Sequence, residues 1–275
     1  MSLFDAFRFD GKRVLVVGGA TGMGAAAAEL ARDLGAEVVV MDRARVARSG
    51  VKTLPLDLAE KASIDAAVDA CGGPVHALLA CAGVADGTPG IERINFIGHR
   101  HLIERMLEGG MLGRGAAIGF VSSAAGLGWE KNLALLQELL ATPDFDSAVD
   151  WVKAHEMANY FWMKQAVCAY VASQAFALQK RGVRINATCP GPTDTPLAQA
   201  NKEVWLAFGA DYRKETGIEA STPMEQAYPL LFLCSDAAAA VNGITLITDA
   251  GYMSSGITGS FPNATAIARV LMGRV

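Results

Sequence analysis

Several features are absent from this chain, and each absence excludes a class of protein. No apolar run is long enough to span a bilayer, and Asp5, Arg8 and Asp10 leave no signal-peptide core at the start. Lysine and arginine form no cluster and the net charge is −4, which argues against nucleic acid as a partner. The sequence therefore predicts a protein with neither a membrane nor a nucleic-acid partner.

Cysteine is sparse as well. The five cysteines are odd in number, widely spaced and free of any C-x-x-C motif; they are Cys71, Cys81, Cys168, Cys189 and Cys234. This pattern is typical of reduced thiols, so we predict a cytoplasmic protein with no bound metal and no disulfide.

What the chain does contain is an alternation of short apolar strands and helical segments. Its 275 residues, of which 52% are hydrophobic, are enough for one large globular domain. The alternation implies parallel strands joined by right-handed crossovers, and neither a linker nor an internal repeat interrupts it. We therefore predict one doubly wound α/β domain over residues 1–275, with its ligand beyond the carboxyl ends of the strands. From Ala250 onward we expect only a tail bearing glycine and serine.

The stretch Arg13–Gly24 leads from an apolar strand through a glycine-rich turn into a helix. Gly18, Gly22 and Gly24 are spaced as G-x-x-x-G-x-G. Glycines so placed allow a tight turn and a close approach of backbone to phosphate, and the N–H groups of the helix start face the anion. An ordinary glycine-rich turn is the alternative, but the position between a strand and an alanine-rich helix favours a dinucleotide.

An acidic residue closes the next strand, Glu37–Asp42. It lies about twenty residues beyond the glycines, where a carboxylate accepts hydrogen bonds from the adenosine ribose. The charge of Asp42 repels a 2′-phosphate and thus favours NAD over NADP, whereas Arg43, the next residue, could bind that phosphate. A plain solvated turn is the other interpretation of this pair.

Tyr160 and Lys164 lie four residues apart, on one face of a helix predicted over Asn159–Gln179. A neighbouring ammonium lowers the pKa of a tyrosine, which makes the phenol usable as a general acid and base near neutral pH. Ser123 follows a strand, and its hydroxyl could hold a substrate carbonyl oxygen, although a helix cap or turn is the simpler interpretation.

Taken in order, these residues resemble the short-chain dehydrogenases/reductases. The matching features are the glycine turn, Asp42, Asp57, Ala82-Gly83, Asn95, Ser123, Tyr160 with Lys164, and Pro190-Gly191. The resemblance covers nearly the whole chain. It implies a Rossmann-type doubly wound parallel sheet of seven strands, in a single domain with a helical insertion between the fifth strand and the catalytic helix. It also implies an oxidoreductase in which NAD(P) carries hydride.

The resemblance assigns roles to the catalytic residues. Tyr160 would be the acid and base, while Lys164 would bind the nicotinamide ribose and lower the pKa of Tyr160. Ser123 would orient the substrate oxygen, and Asn95 would hold the water of a proton relay.

Further positions are implied for the cofactor. Asp57 would meet the adenine amino group and Thr195 the nicotinamide carboxamide. With Tyr160 and Lys164, the other residues expected at the cofactor are Gly18, Thr21, Gly22, Met23, Gly24, Asp42, Arg43, Leu58, Cys81, Ala82, Gly83, Pro190, Gly191 and Thr193.

The sequence departs from the family pattern at two places near the expected cofactor site. Val17 stands where threonine usually precedes the first glycine, and Ala80-Cys81-Ala82-Gly83 replaces Asn-Asn-Ala-Gly. The second change removes two amides that brace the central strand.

A long segment, residues 124–158, separates the serine from the tyrosine. It carries two amphipathic pieces, Glu130–Leu140 and Ser147–His155, whose apolar stripes must be buried. This insertion and the Cys-Ala-Gly variant resemble the bacterial 3α-hydroxysteroid dehydrogenase/carbonyl reductase branch. The insertion either packs simply onto the parent domain or also covers the helices around Asn95 and Tyr160, where relatives pair subunits. From the second option we predict a homodimer, with the insertion edging the substrate cleft.

The predicted function is NAD-dependent interconversion of a secondary alcohol and a ketone on a bulky apolar or steroid-like substrate, under a lid at residues 196–220. NADP-dependent reduction of another carbonyl or an activated double bond is one alternative, and a nucleotide-sensing protein without turnover is another. Large side chains near the catalytic segments could line the pocket or belong to the core: Trp129, Trp162, Leu197, Trp205 and Phe208.

Overall fold

The computed structural model describes residues 4–46 and 49–274. The N-terminal half contains β1 (Arg13–Val17), α1 (Gly22–Asp33), β2 (Glu37–Asp42), β3 (Lys52–Pro55), α2 (Lys61–Cys71), β4 (Ala77–Ala80), α3 (Gly98–Glu108) and β5 (Ala117–Val121). A π-helical segment, Arg93–Ile97, runs directly into α3. The C-terminal half contains α4 (Leu133–Leu140), α5 (Phe145–Ala154), α6 (Tyr160–Lys180), β6 (Arg184–Pro190), α7 (Pro196–Ala200), α8 (Lys202–Trp205), α9 (Ala210–Thr216), α10 (Pro223–Cys234), β7 (Thr245–Thr248), α11 (Tyr252–Thr258) and α12 (Thr265–Leu271). Single 3-10 turns lie at Asp5–Phe7, Ala124–Gly126, Trp129–Asn132, Asp236–Ala238 and Pro262–Ala264.

The strands form one parallel sheet of seven strands in the order β3-β2-β1-β4-β5-β6-β7. This confirms the predicted doubly wound fold. The apolar run Val38–Met41 is buried because helices cover both faces of the sheet, as parallel sheets require. The strand order reverses between β1 and β4, and the ligand crevice of such a sheet opens at the carboxyl ends beside that point.

Two layers of core flank the sheet. On one face, α1 packs closely against α10, which the small side chains of Ala27, Ala28 and Ala31 permit. On the other face, α2, α3 and α6 bury a larger cluster that includes Phe96 and Phe120. All five cysteines are free. Over the described residues, no helix combines the length and the apolar character needed to cross a membrane.

The segment between β5 and α6 is helical, as the amphipathic stripes predict. The observed helices are α4 and α5, and α5 begins at Phe145 because the carboxylate of Asp144 accepts the N–H of Ser147 at 2.8 Å. Leu136, Leu139 and Val152 are fully buried in the same cluster as Phe96. The insertion therefore packs on α6 and on the π-helical segment that contains Asn95.

A buried arginine on α3 binds the insertion through hydrogen bonds. Arg100 of α3 donates to the hydroxyl of Thr142 at 2.9 Å and to the carbonyls of Thr142 and Leu139. The arginine thus binds backbone and side-chain oxygens at the end of α4 and just after it, where carbonyls lack partners within the helix.

The C-terminal tail differs from the sequence-based expectation, because it folds into α11 and α12. Gly256 explains the packing: a Cβ there would lie 2.7 Å from the Cβ of Ala268, so only glycine lets the two helices approach. The glycine that suggested an irregular tail is in fact a helix-packing residue.

Candidate active site

Two adjoining cavities lie at the carboxyl edge of the sheet. The first, about 300 Å³, extends along the glycine turn and the ends of β1, β2 and β4. The second, about 330 Å³, lies between the ends of β5 and β6 and the helices α6, α7, α8 and α12. Met23, Cys81, Gly83, Thr195 and Leu197 line both cavities, so the two form one continuous crevice.

The first cavity has a backbone wall that only glycines allow. Gly18 has φ +84°, and a Cβ there would lie 2.5 Å from the Cα of Ala82. A Cβ on Gly24 would collide with the carbonyl of Gly18. The turn after β1 is thus pressed against the start of α1 and the end of β4. This cradle fits a dinucleotide pyrophosphate, since the glycines let backbone at a helix start come close to a bound anion.

Asp42 braces the glycine turn. Its two carboxylate oxygens accept the N–H of Ala20 at 2.9 Å and the N–H of Ala44 at 2.8 Å. Asp42 and the exposed Arg43 both line the first cavity. The carboxylate is therefore held rigidly at the edge where an adenosine ribose would lie.

Asn95 lies in the π-helical segment, and its amide is engaged with the loop after β4. Oδ1 accepts the N–H of Val84 at 2.8 Å, and Nδ2 donates to the carbonyl of Val84 at 2.9 Å. Asn95 lines neither cavity, and its predicted role in a proton relay stays a prediction.

Sequence reasoning missed a second brace at the same strand end. The imidazole of His99, one turn beyond Asn95, donates from Nε2 to the carbonyl of Ala82 at 3.0 Å. Burial lowers the pKa of His99 to about 4, so the ring is neutral at physiological pH. Asn95 from the π-helical segment and His99 from α3 thus bind the backbone that follows β4, the region where the family pattern has two amides of its own.

Tyr160 and Ser123 meet in the second cavity. Burial raises the pKa of Tyr160 to about 12, while hydrogen bonding to the Ser123 hydroxyl acts in the opposite direction. The net effect is contrary to the lowering expected from Lys164, because desolvation of a phenolate outweighs the favourable contacts.

Lys164 is buried, with 5% of its surface exposed. Its Nζ donates to the carbonyl of Val121 at 2.9 Å and lies 5.5 Å from the centroid of the Tyr160 ring. Burial lowers the pKa of Lys164 to about 8. An ammonium is therefore kept inside the protein at an energetic cost, beside the phenol.

The first turn of α6 is capped from two directions. Asn159 accepts the N–H of Trp162 at 3.1 Å, which is the ordinary capping contact. In addition, Asp86 from the loop after β4 accepts the N–H of Tyr160 itself at 2.6 Å. This second contact joins segments 74 residues apart and carries no local signal in the sequence.

Most of the other side chains that line the second cavity are apolar. Leu197, Trp205 and Phe208, which the sequence left open between pocket and core, line it, and the ring centroid of Trp205 lies 5.0 Å from that of Tyr160. Ile267 and Leu271 of α12 also line it, which the expectation of an irregular tail had concealed.

The other two candidates for the pocket belong to the core, the second alternative that the sequence left open. Trp129 and Trp162 pack against the cluster around Phe96. Trp162 follows Tyr160 by two positions, and such residues point to nearly opposite sides of a helix. Of segment 124–158, only Ala124 and Ala125 line the second cavity, so the expectation that the insertion edges the cleft is wrong for most of its length.

Every residue predicted for the cofactor lines one of the two cavities. Asp57 lies in the first cavity, where it accepts the N–H of Ala59 at 2.9 Å next to the buried Leu58. Thr195 caps α7 by accepting the N–H of Ala198 at 3.1 Å. The hydroxyl of Thr193 donates to the carbonyl of Gly191 at 3.0 Å.

Known proteins resemble this chain in sequence and in structure. Residues 144–253 match the family model described as Enoyl-(Acyl carrier protein) reductase. The chain is 28% identical over 254 residues to the coniferyl-alcohol dehydrogenase of Pseudomonas sp. (strain HR199 / DSM 7063), covering 89% of this chain and 97% of that protein. It is 30% identical over 252 residues to the 3-alpha-hydroxysteroid dehydrogenase/carbonyl reductase of Comamonas testosteroni, covering 86% and 95%. The crystal structure of the 3-alpha-hydroxysteroid dehydrogenase from Pseudomonas sp. B-0831 complexed with NADH superposes with a TM-score of 0.73 at 27% identity, covering 91% of this chain and 99% of that one.

Proposed function

Because this chain belongs to the short-chain dehydrogenase/reductase family, we propose that it interconverts a secondary alcohol and a ketone, with Ser123, Tyr160 and Lys164 handling the proton. The family membership makes it an oxidoreductase that acts on alcohol or ketone groups of small molecules with a nicotinamide cofactor. The observation that carries the finer proposal is that these three side chains line one cavity, which adjoins the glycine cradle.

Each side chain has a distinct task in this proposal. The nicotinamide, when bound, supplies or accepts the hydride. The phenol of Tyr160 gives its proton to the substrate oxygen during ketone reduction and takes it back during oxidation. The Ser123 hydroxyl holds that oxygen in place, and the buried ammonium of Lys164 stabilises the phenolate. A chain that only senses nucleotide would have no need for the complete set of Ser123, Tyr160 and Lys164 in one cavity.

The substrate we propose is bulky and apolar. In the second cavity the polar side chains belong to Ser122, Ser123, Tyr160, Lys164, Thr193 and Thr195, while the larger apolar side chains include Leu197, Val204, Trp205, Phe208, Ile267 and Leu271. A site of this kind binds the apolar body of a ligand and orients it by the few polar groups at one end. Residues 196–220 form the lid, since Leu197, Val204, Trp205 and Phe208 all belong to that segment.

A panel of cyclic and steroidal secondary alcohols, offered with NAD or NADP, tests substrate and cofactor together. Because Asp42 repels a 2′-phosphate, we expect reduction of NAD to exceed that of NADP by about 100-fold in kcat/KM. Absorbance of the reduced cofactor is the measurement. NADP as the better cofactor would point to Arg43 as the dominant neighbour, and reduction of an activated double bond alone would favour the alternative chemistry.

In the same assay, Asp42→Ala is expected to narrow the preference to about tenfold or less. The substitution removes the repulsion, and it also frees the N–H groups of Ala20 and Ala44, so kcat/KM with NAD falls as well. Asp33→Ala is the matched control, because Asp33 is exposed at the far end of α1 and lines neither cavity. An unchanged NAD:NADP ratio in Asp42→Ala would contradict the assignment.

For the assembled protein we propose a homodimer. The insertion covers the π-helical segment around Asn95 and the outer side of α6, the surface expected to pair subunits in relatives. Light scattering of the purified protein should therefore give twice the chain mass of 28.8 kDa. A tetramer mass would show that the insertion does not block that surface.

A further inference from the structure

The loop after β4 is fixed at two points, and the second point is the reactive tyrosine. Asn95 holds the N–H and the carbonyl of Val84. Two residues later, Oδ1 of Asp86 accepts the N–H of Tyr160 at 2.6 Å. The loop that borders the cofactor cleft is thereby tied to the first residue of the catalytic helix.

This contact is more than a helix cap. The N–H of a first helical residue has no partner within its own helix, so any acceptor would satisfy it. Asn159 already caps α6 with a neutral oxygen at Trp162, whereas Asp86 brings a carboxylate. A carboxylate at a helix start is stabilised by the helix dipole, but here it also stands close to a group that must gain and lose a proton.

The charged and titratable groups that face the phenol come from four elements. Lys164 lies on α6 itself, Cys189 on β6, and Asp86 on the loop after β4. Ser123 reaches it from the turn after β5. Asp86 is the single acidic side chain in this set, and both Asp86 and Cys189 raise the pKa of Tyr160.

We propose that Asp86 is a positioning residue for Tyr160: its carboxylate fixes the first turn of α6 against the loop after β4 and places a negative charge beside the phenol. This inference rests on the proposed function, in which Tyr160 exchanges the proton. A negative neighbour disfavours the phenolate, so Asp86 adds to the effect of burial in keeping the proton on Tyr160.

Asp86→Asn removes the negative charge but keeps the hydrogen bond, because the amide oxygen can still accept the N–H of Tyr160. Removing the charge lets the phenol lose its proton at lower pH. We expect the rising limb of the pH profile for alcohol oxidation to move to lower pH by roughly half a unit to one unit. Asp86→Ala removes the acceptor as well, and we expect an additional several-fold loss of kcat.

Asp144→Asn is the matched control. Asp144 likewise accepts a backbone N–H at a helix start, that of Ser147, but it lies in the insertion and lines neither cavity. Its profile should coincide with that of the wild type. A profile of Asp86→Asn that coincides with the wild type, or that moves no further than Asp144→Asn, would overturn the proposal.

A titration without turnover distinguishes this proposal from the proposed function. The protein contains five tyrosines, so labelling their ring carbons gives five signals in the NAD complex, and the one missing from Tyr160→Phe belongs to Tyr160. That signal should titrate at lower pH in Asp86→Asn than in the wild type. If Tyr160→Phe keeps its turnover, the proposed function fails while this titration still decides on Asp86. If Tyr160→Phe is inactive and the titration is unchanged, the role of Asp86 alone fails.

Discussion

Tyr160→Phe is expected to lower kcat/KM for alcohol oxidation by about 10³-fold, with normal folding and near-normal cofactor affinity. The substitution removes the hydroxyl that faces Ser123 and leaves the ring. The ring contacts with Trp205 and Lys164 therefore persist, and the N–H that Asp86 accepts belongs to the backbone. Steady-state rates give kcat/KM, cofactor titration gives the affinity, and thermal melting tests the folding.

Tyr170→Phe provides the control on the same helix. Tyr170 is buried and makes edge contacts with Phe96 and Phe120, and it lines neither cavity. The same loss of one hydroxyl should therefore leave kcat/KM close to the wild-type value. Wild-type rates in Tyr160→Phe would remove the proposed mechanism, and an equal loss in Tyr170→Phe would show that any hydroxyl deletion on α6 disturbs the site.

The sheet could be predicted because its signal is local. A run such as Val38–Met41 is apolar and β-branched, and in a parallel sheet both of its faces are covered. The candidate site followed from the sheet, since parallel strands end at one edge. The glycine turn after β1, Asp42 after β2, Gly83 after β4 and Ser123 after β5 must then converge on one crevice.

The contacts that set the properties of the site could not be predicted in the same way. Asp86 and Tyr160 are 74 residues apart, and a carboxylate in a polar loop looks like a solvated turn. His99 is one of several polar residues in α3, and only the packing shows that its ring reaches Ala82. The surroundings of Tyr160 likewise come from distant segments, Trp205 of the lid among them, so the direction of its pKa shift is a property of the tertiary structure.

Lys164→Met is expected to lower kcat/KM by about 10²- to 10³-fold and to weaken cofactor binding by about tenfold or more. It should nevertheless leave the protein at least as stable as the wild type at pH 7. Burial lowers the pKa of Lys164 from its usual 10.5 to about 8, so the unfolded chain holds this proton more tightly than the folded protein. Below pH 8 this difference costs the wild type about 3 kcal/mol of folding free energy. Lys164→Met removes this cost, but it also removes the hydrogen bond to the Val121 carbonyl, which lowers the stability of the variant by about 1–2 kcal/mol.

The stability difference between Lys164→Met and the wild type should change with pH in a definite direction. The penalty in the wild type is complete below pH 8 and fades as the pH rises towards 10.5, so the stability advantage of Lys164→Met should shrink over that interval. Denaturant unfolding at several pH values measures it, and Lys180→Met is the control, because Lys180 is exposed at the end of the same helix. If Lys164→Met were less stable than the wild type at pH 7 and the difference did not change with pH, the buried ammonium would be stabilising the fold. An ammonium that costs stability and is indispensable to turnover is the arrangement expected of a residue kept for chemistry.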